Sequence, residues 1–218
     1  ECVSMIYIYG DSYACPIHKQ NEHPDTITWY KQLEERYLVT NKAVKGSGPD
    51  YAYQKYLDDE HSFTDADKVI FIHSFTHRMN WFGIDPTSQS QIKYWKGHIH
   101  LESWATKETV QFSANHSKEI EYLFNHLDYN KKLDSSVYEK ALVIKHIALS
   151  KRVKTYFMVV DDFDYQRLQK FHSLMQNNEW FSLYYKPLTK TNKDSNLRNH
   201  LSQDQHNSLY SEVLDFIE

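Results

Sequence analysis

The sequence predicts an α/β fold built on a parallel sheet, and three observations carry that expectation. Short apolar runs that read as buried strands alternate with helix-length segments through most of the chain. Glycine is scarce, five in 218 residues, and three of the five (Gly10, Gly46 and Gly48) fall where a strand hands over to a helix. Glycine at such a point allows backbone that a side chain would obstruct. The strand candidates also end in residues able to carry chemistry, and open parallel sheets bind ligands at the carboxyl ends of their strands.

The elements follow in order. Residues 1–4 read as a leader, and Met5-Ile6-Tyr7-Ile8-Tyr9 as a buried first strand ending at Gly10-Asp11-Ser12. A helix is expected over 26–37, with Asp25 as N-cap and Ile27, Trp29, Tyr30 and Leu33 on its apolar side. Tyr37-Leu38-Val39-Thr40 is the second strand. It leads through Asn41 and Ala43 to Gly46-Ser47-Gly48, after which Pro49 opens a helix to about Leu57. Val69-Ile70-Phe71-Ile72 is the clearest strand in the chain and ends at His73-Ser74-Phe75-Thr76-His77-Arg78. Residues 79–113 read as a long, irregular, aromatic excursion holding Trp81, Trp95 and Trp104; segments of this length inside a compact domain are usually functional. Helices are expected over 114–127 and 135–150, a fourth strand over 155–160, a helix over 161–176 and a fifth strand at Phe181-Ser182-Leu183-Tyr184-Tyr185. A final helix over 202–217 presents Leu209, Val213 and Phe216 on one face. The whole span, 1–218, reads as a single domain.

Composition narrows the classes of function. A formal net charge of -4 supplies no basic field for nucleic acid, and no apolar run approaches membrane-spanning length. The Lys131-Lys132 pair reads as a solvated helix end. Cys2 and Cys15 lie outside any C-x-x-C spacing and read as free thiols in a reducing compartment, with Cys15 as small buried filler. Seventeen tyrosines, eleven phenylalanines and five tryptophans provide the surface for a core in a chain of modest apolar content.

Three local motifs can carry chemistry. Gly10-Asp11-Ser12 sets a serine hydroxyl at a strand end beside backbone N–H groups able to hold an oxyanion. Asn41-x-Ala43-x-x-Gly46-x-Gly48 lets backbone approach a substrate closely after strand two. Asn199-His200-Leu201-Ser202 puts a histidine just before the final helix, where it can point across the strand ends. Each alone has an ordinary structural explanation: a turn with a serine cap, a tight strand-to-helix turn, one of thirteen histidines beside a helix cap.

Together, in this order and spacing, the three resemble the blocks of the SGNH hydrolases, the GDSL-type esterases. Met5 to Ala14 is similar to the first block, Asn41 to Gly48 to the second, and Asn199 to Ser202 to the last. The Asn-His-Leu-Ser ending and the short first strand are similar to bacteriophage-encoded members. The resemblance implies a three-layer α/β/α sandwich with strand order 2-1-3-4-5. It implies Ser12 as nucleophile, His200 as base, and an oxyanion held by the N–H groups of Ser12 and Gly46, with no cofactor. Two departures stand out. Thr76 occupies the place of the asparagine that donates to the oxyanion, and Leu197 stands three before His200 where the orienting acid belongs. Asp194, six before His200, is the acid available in that segment if the loop bends; otherwise a main-chain carbonyl holds the ring.

The expected substrate is an acylated small molecule or glycan, with an O-acetylated glycan first, because flat faces of Trp81, Trp95 and Trp104 suit sugar rings. Core packing explains the same rings equally well. The expected location is the cytoplasm, of a bacterial host for a phage protein, or a virion. The rival reading is a non-catalytic member of the fold, used for binding or as a structural part of a larger, viral assembly. No metal site is expected: His98-x-His100 and the His73/His77 pair lack the further ligands that zinc requires. Gly46-Ser47-Gly48 lacks the Gly-Lys-Ser/Thr of a phosphate loop.

Overall fold

Five of the apolar runs lie side by side as parallel strands. The computed structural model describes residues 4–11, 13–14, 27–44, 49–73, 79–84, 92–99, 129–160, 162–170, 173–186 and 201–218. In chain order the elements are β1 (Met5–Tyr9), α1 (Trp29–Glu34), β2 (Leu38–Asn41), α2 (Pro49–Asp59) with a short 3-10 turn (Glu60–Ser62), β3 (Lys68–His73), β4 (Met79–Ile84), β5 (Ile92–Ile99), α3 (Tyr129–Lys151), β6 (Lys154–Val159), α4 (Asp162–Gln169), β7 (Phe181–Tyr185) and α5 (Gln203–Ile217). The main sheet runs β2-β1-β3-β6-β7, parallel throughout. Counting only its own strands, this is the order 2-1-3-4-5. β4 and β5 pair with each other as a separate antiparallel ribbon.

Strand alternation sends successive side chains to opposite faces. Ile6 and Ile8 join Trp29, Tyr30 and Leu33 of α1 and Leu209, Val213 and Ile217 of α5 in one buried cluster. Tyr9, Val69 and Phe71 join Ala52 and Tyr56 of α2, Ala141, Ile144 and Ala148 of α3 and Leu168 of α4 in the other. Helices thus cover both faces, giving three layers. β3, at the centre, is buried at every position from Val69 to His73, which is why its sequence is an unbroken apolar run. The outer edge of β7 is partly closed by Asn177, whose Oδ1 accepts from Leu183 N at 2.7 Å. Among the described residues, no helix is long and apolar enough to cross a membrane.

Three expected elements are corrected. The helix expected over 26–37 is confined to Trp29–Glu34 with Thr28 as N-cap, and Asp25 lies outside the described residues. Its start is held back because the Ile27 backbone is claimed from both sides by Gln203: Ile27 N donates to Oε1 at 2.9 Å and Nε2 donates to Ile27 O at 3.0 Å. At its other end the N–H groups of Arg36 and Tyr37 both reach Leu33 O, closing the helix into the turn before β2. The helix expected over 161–176 ends at Gln169. Beyond it, Lys145 Nζ donates to the carbonyls of Leu174 and Gln176, each at 2.8 Å, holding that stretch off a helical path while Met175 enters the core. The 79–113 excursion is more regular than expected, since β4 and β5 occupy part of it with Trp81 opposite Trp95 in register. The helix expected over 114–127 lies outside the described residues.

Candidate active site

The carboxyl end of β1 turns under its neighbour. Gly10 has φ +159, and a Cβ there would stand 3.1 Å from the Ile72 Cβ and 3.3 Å from the Ala14 Cβ. A side chain there would need these neighbours to give by a few tenths of an ångström, so close approach favours glycine. Asp11 then closes the turn twice. Its main-chain oxygen accepts from Ala14 N at 3.0 Å, and its buried Oδ1 accepts from Tyr13 N at 3.0 Å. The side-chain bond is the Asx-turn that aspartate favours. Ser12 is covalently held between Asp11 and Tyr13, but its own placement lies outside the described residues.

The second motif begins where β2 leaves the sheet. Lys42 N donates to Ile8 O at 2.8 Å and Val44 N to Gly10 O at 3.2 Å, so this segment continues alongside β1 past the strand proper. Asn41 joins the two segments through its amide. Nδ2 donates to Ala14 O at 2.7 Å, and Oδ1 accepts from Ala43 N at 3.0 Å. The Asp11–Ala14 turn is held from its other side by Trp29, whose Nε1 donates to Tyr13 O at 2.9 Å.

The last motif is approached through α5. Ser202 is its N-cap, in a capping box with Gln205, and Leu201 is buried in the same cluster as Tyr13 and Ala14. His206, also buried, accepts from Trp29 N at its Nδ1 over 3.4 Å. At the far end of α5, Glu218 pairs with Arg36 at 2.8 Å just before β2 begins. α5 and α1 therefore run the same way, with both N-termini at the carboxyl edge of the sheet. A chain of contacts runs from α5 through His206 and Trp29 to the residue after Ser12.

Two polar groups, one partly and one fully buried, lie on the opposite face. Tyr9 OH donates to Asp59 Oδ2 at 3.0 Å, and Lys42 Nζ lies 3.5 Å from the same carboxylate. Burial, reinforced by the Asp59 charge, pushes the Tyr9 phenol far above the ordinary tyrosine range, so it stays a neutral donor. At the end of β3, His73 Nε2 lies 3.3 Å from Asp164 Oδ2 with both side chains fully buried, and Arg167 Nη1 donates to Asp164 Oδ1 at 2.7 Å. The imidazole stacks on Phe157, and the His73 carbonyl accepts from Val160 N at 3.2 Å. This group anchors the carboxyl end of β3.

Of the residues read from the sequence, Gly10, Asp11, Asn41, Ala43, Leu201 and Ser202 are found at one edge of the sheet. Ser12, Gly46, Gly48, Thr76, His77, His100, Trp104, Asp194, His200, Cys2 and Cys15 lie outside the described residues, as do the side chains of Trp81, Trp95, His98 and the Lys131-Lys132 pair. Among the described residues no three His, Cys, Asp or Glu side chains converge as a metal site. Sequence reasoning misses the structural work of Trp29 and His206 and the His73–Asp164–Arg167 group. In the sequence Trp29 is visible only as an apolar helix position. Nothing near His73 in sequence points to an aspartate in α4. Comparison with known proteins adds no name to this geometry: no family model matches the chain, and no curated protein matches it.

Proposed function

We propose that the chain is a serine ester hydrolase of the SGNH type, acting through an acyl-enzyme on Ser12. The observation that carries this reading is the convergence of the described flanks of all three motifs on the carboxyl edge of the sheet. Asp11 and Tyr13 bracket Ser12, Asn41 ties that turn to the segment leading toward Gly46, and the capped start of α5 brings Leu201, next to His200, into the same cluster as Tyr13. Parallel sheets offer their binding crevice at this edge.

In this mechanism His200 takes the proton from the Ser12 hydroxyl as Oγ attacks the ester carbonyl. The oxyanion is held by the N–H groups of Ser12 and Gly46 and by the Thr76 hydroxyl. The C–O bond to the leaving alcohol breaks, and His200 returns the proton to it. His200 then deprotonates a water that attacks the acyl carbonyl, and the carboxylic acid leaves as Ser12 regains its proton. Asp194 or a main-chain carbonyl orients the imidazole. The substrate is an acylated small molecule or a glycan ester, with Trp81, Trp95 and Trp104 as the wall for the larger group. In support, Trp81 and Trp95 are paired across the β4–β5 ribbon, and β4 runs beside α2, the helix that follows the second motif.

A second reading, a non-catalytic binding or structural protein on this fold, is favoured by the two departures in the sequence: Leu197 stands where the orienting acid belongs, and Thr76 where the oxyanion-binding asparagine belongs. Loss of that acid costs about four orders of magnitude in triad enzymes. A fluorophosphonate probe separates the two. The hydrolase reading expects covalent labelling that maps to Ser12 and vanishes in Ser12→Ala. Absence of labelling in the wild type selects the non-catalytic reading.

A further inference from the structure

We infer that Asn41 is a positioning residue that sets the nucleophile turn against the oxyanion loop; the inference rests on the serine hydrolase reading above. The two loops come from different strands, and the β1–β2 register ends at Ile8↔Asn41, before either loop is reached. Past that point, among the described residues, two backbone bonds continue the contact, Lys42 N to Ile8 O and Val44 N to Gly10 O, the second at the glycine that opens the turn. Asn41 adds a side-chain link farther along the turn. Its Nδ2 grips the turn at Ala14 O over 2.7 Å while its Oδ1 grips its own loop at Ala43 N over 3.0 Å. Both polar atoms of one short, half-buried side chain are used, one on each loop.

The chemistry requires asparagine here. The site needs a donor toward the turn and an acceptor toward the loop from a single planar group, and a carboxylate or an alcohol cannot supply both in this geometry. In the sequence Asn41 is only the first residue of a glycine-rich loop motif. Its contacts make it a clamp as well, with Ser12 two residues before one end and Gly46 three residues beyond the other. A shift of either loop moves the nucleophile relative to the oxyanion donor. The hydroxyl, the carbonyl carbon and the donor must align together, and displacement of about 1 Å costs on the order of 100-fold in rate.

The test compares Asn41→Asp and Asn41→Ala with the wild type and with Leu168→Ala. Leu168→Ala is a stability control in the core of the opposite face. Three quantities are read: the melting temperature, the rate of Ser12 labelling by a fluorophosphonate, and kcat and KM on p-nitrophenyl acetate. Asn41→Asp keeps the acceptor for Ala43 N but sets a carboxylate oxygen against the Ala14 carbonyl, so labelling and kcat should fall on the order of 100-fold with KM little changed. Asn41→Ala releases both loops without repulsion and should fall about tenfold, and it serves as the test if the aspartate variant does not fold. Leu168→Ala should lose melting temperature without losing labelling of the folded protein. A wild type that labels, with folded Asn41 variants that label equally fast, overturns the inference and leaves the hydrolase reading standing. A wild type that does not label overturns the hydrolase reading, and the inference with it. A fall in rate no larger than that of Leu168→Ala at matched stability assigns Asn41 to folding alone and also overturns the proposal.

Discussion

On the face covered by α2, α3 and α4, rings pack on rings. Phe71 lies flat on Phe157 with centroids 5.3 Å apart, Tyr56 meets Tyr9 edge-on at 5.5 Å, and Phe63 and Phe181 close the group. On the face covered by α1 and α5, the joins between elements are directional. Trp29 Nε1 holds Tyr13 O, His206 Nδ1 accepts from Trp29 N, and Gln203 bonds Ile27 at both its N–H and its carbonyl. The first face combines this ring packing with a few polar joins, among them Tyr9 OH to Asp59 and the buried His73–Asp164–Arg167 group. The second has an apolar core of its own and adds hydrogen bonds whose net worth is small but whose geometry is narrow. Both faces carry buried apolar cores, and the side-chain bond from Trp29 to the turn bracketing Ser12 comes from the second.

The largest expected effect separates the two. Phe181→Ala removes a fully buried ring from the first face and should cost about 3–5 kcal/mol, lowering the melting temperature by on the order of 10 °C. Labelling of its folded fraction at Ser12 should be little changed. Trp29→Phe keeps ring bulk on the second face but leaves Tyr13 O without its indole donor, costing about 1–3 kcal/mol. Its labelling rate should nevertheless fall about tenfold, because the turn that carries Ser12 loses a support from outside it. Calorimetry and probe kinetics on the same samples decide. If the two variants lose stability and labelling in the same proportion, the division of labour between the faces does not exist.

Alkaline pH gives a smaller and graded contrast. Burial pushes the phenols of Tyr9, Tyr56 and Tyr156 above the ordinary tyrosine range, with the Asp59 charge adding to the effect at Tyr9. A group whose folded-state pKa is raised contributes stability that is complete below its unfolded value, about 10 for tyrosine, and that is lost as pH rises beyond it. Each phenol adds up to about 1.4 kcal/mol of loss per pH unit above that point. Two of the three, Tyr9 and Tyr56, belong to the ring-packed face and Tyr156 to the other. Chemical denaturation at pH 9 to 11 should therefore show a steep fall in the wild type. Tyr9→Phe with Tyr56→Phe should flatten it more than Tyr156→Phe does. An equal slope in all three proteins would mean that the phenols ionise without unfolding the chain.

The same contrast explains which features are legible in the sequence. β1 and β3 are legible because an interior parallel strand must be apolar on both faces, and Val69-Ile70-Phe71-Ile72 has no other economical reading. The start of α5 is legible from Ser202 and Gln205, since a capping box is local chemistry. The true start of α1 is not, because Gln203 sets it from the other end of the chain. The β4–β5 ribbon escapes a sequence reading because Gly83 and Gly97 interrupt its alternation, although its aromatic residues suit strands. At the site, spacing reveals the motif residues but not their supports. Trp29, His206 and Asp164 act across long sequence separations, and each has an ordinary role in its own helix that hides the contact it makes.

The smallest stability effect is expected at the cap itself, where it sharpens the comparison most. Ser202 Oγ accepts from Gln205 N at 3.3 Å, and Gln205 Oε1 accepts from Ser202 N at 2.8 Å. Ser202→Ala removes one of these bonds and should cost about 1 kcal/mol, a fall of roughly 2–4 °C in melting temperature for a chain of this size. α5 would remain docked, because Leu209, Val213 and Ile217 keep it on the sheet. What changes is the direction from which the chain arrives at the helix. Leu201 is pinned in the core immediately before the cap, and His200, the proposed base, immediately precedes Leu201, two residues from the helix cap. kcat on p-nitrophenyl acetate should fall several-fold with KM unchanged, out of proportion to the lost stability. Ser202→Thr, which keeps an acceptor of the same kind, should restore both. If the alanine variant keeps full kcat, or the threonine variant restores stability but not rate, the cap supports the helix alone and the placement of His200 must be set from the segment before it.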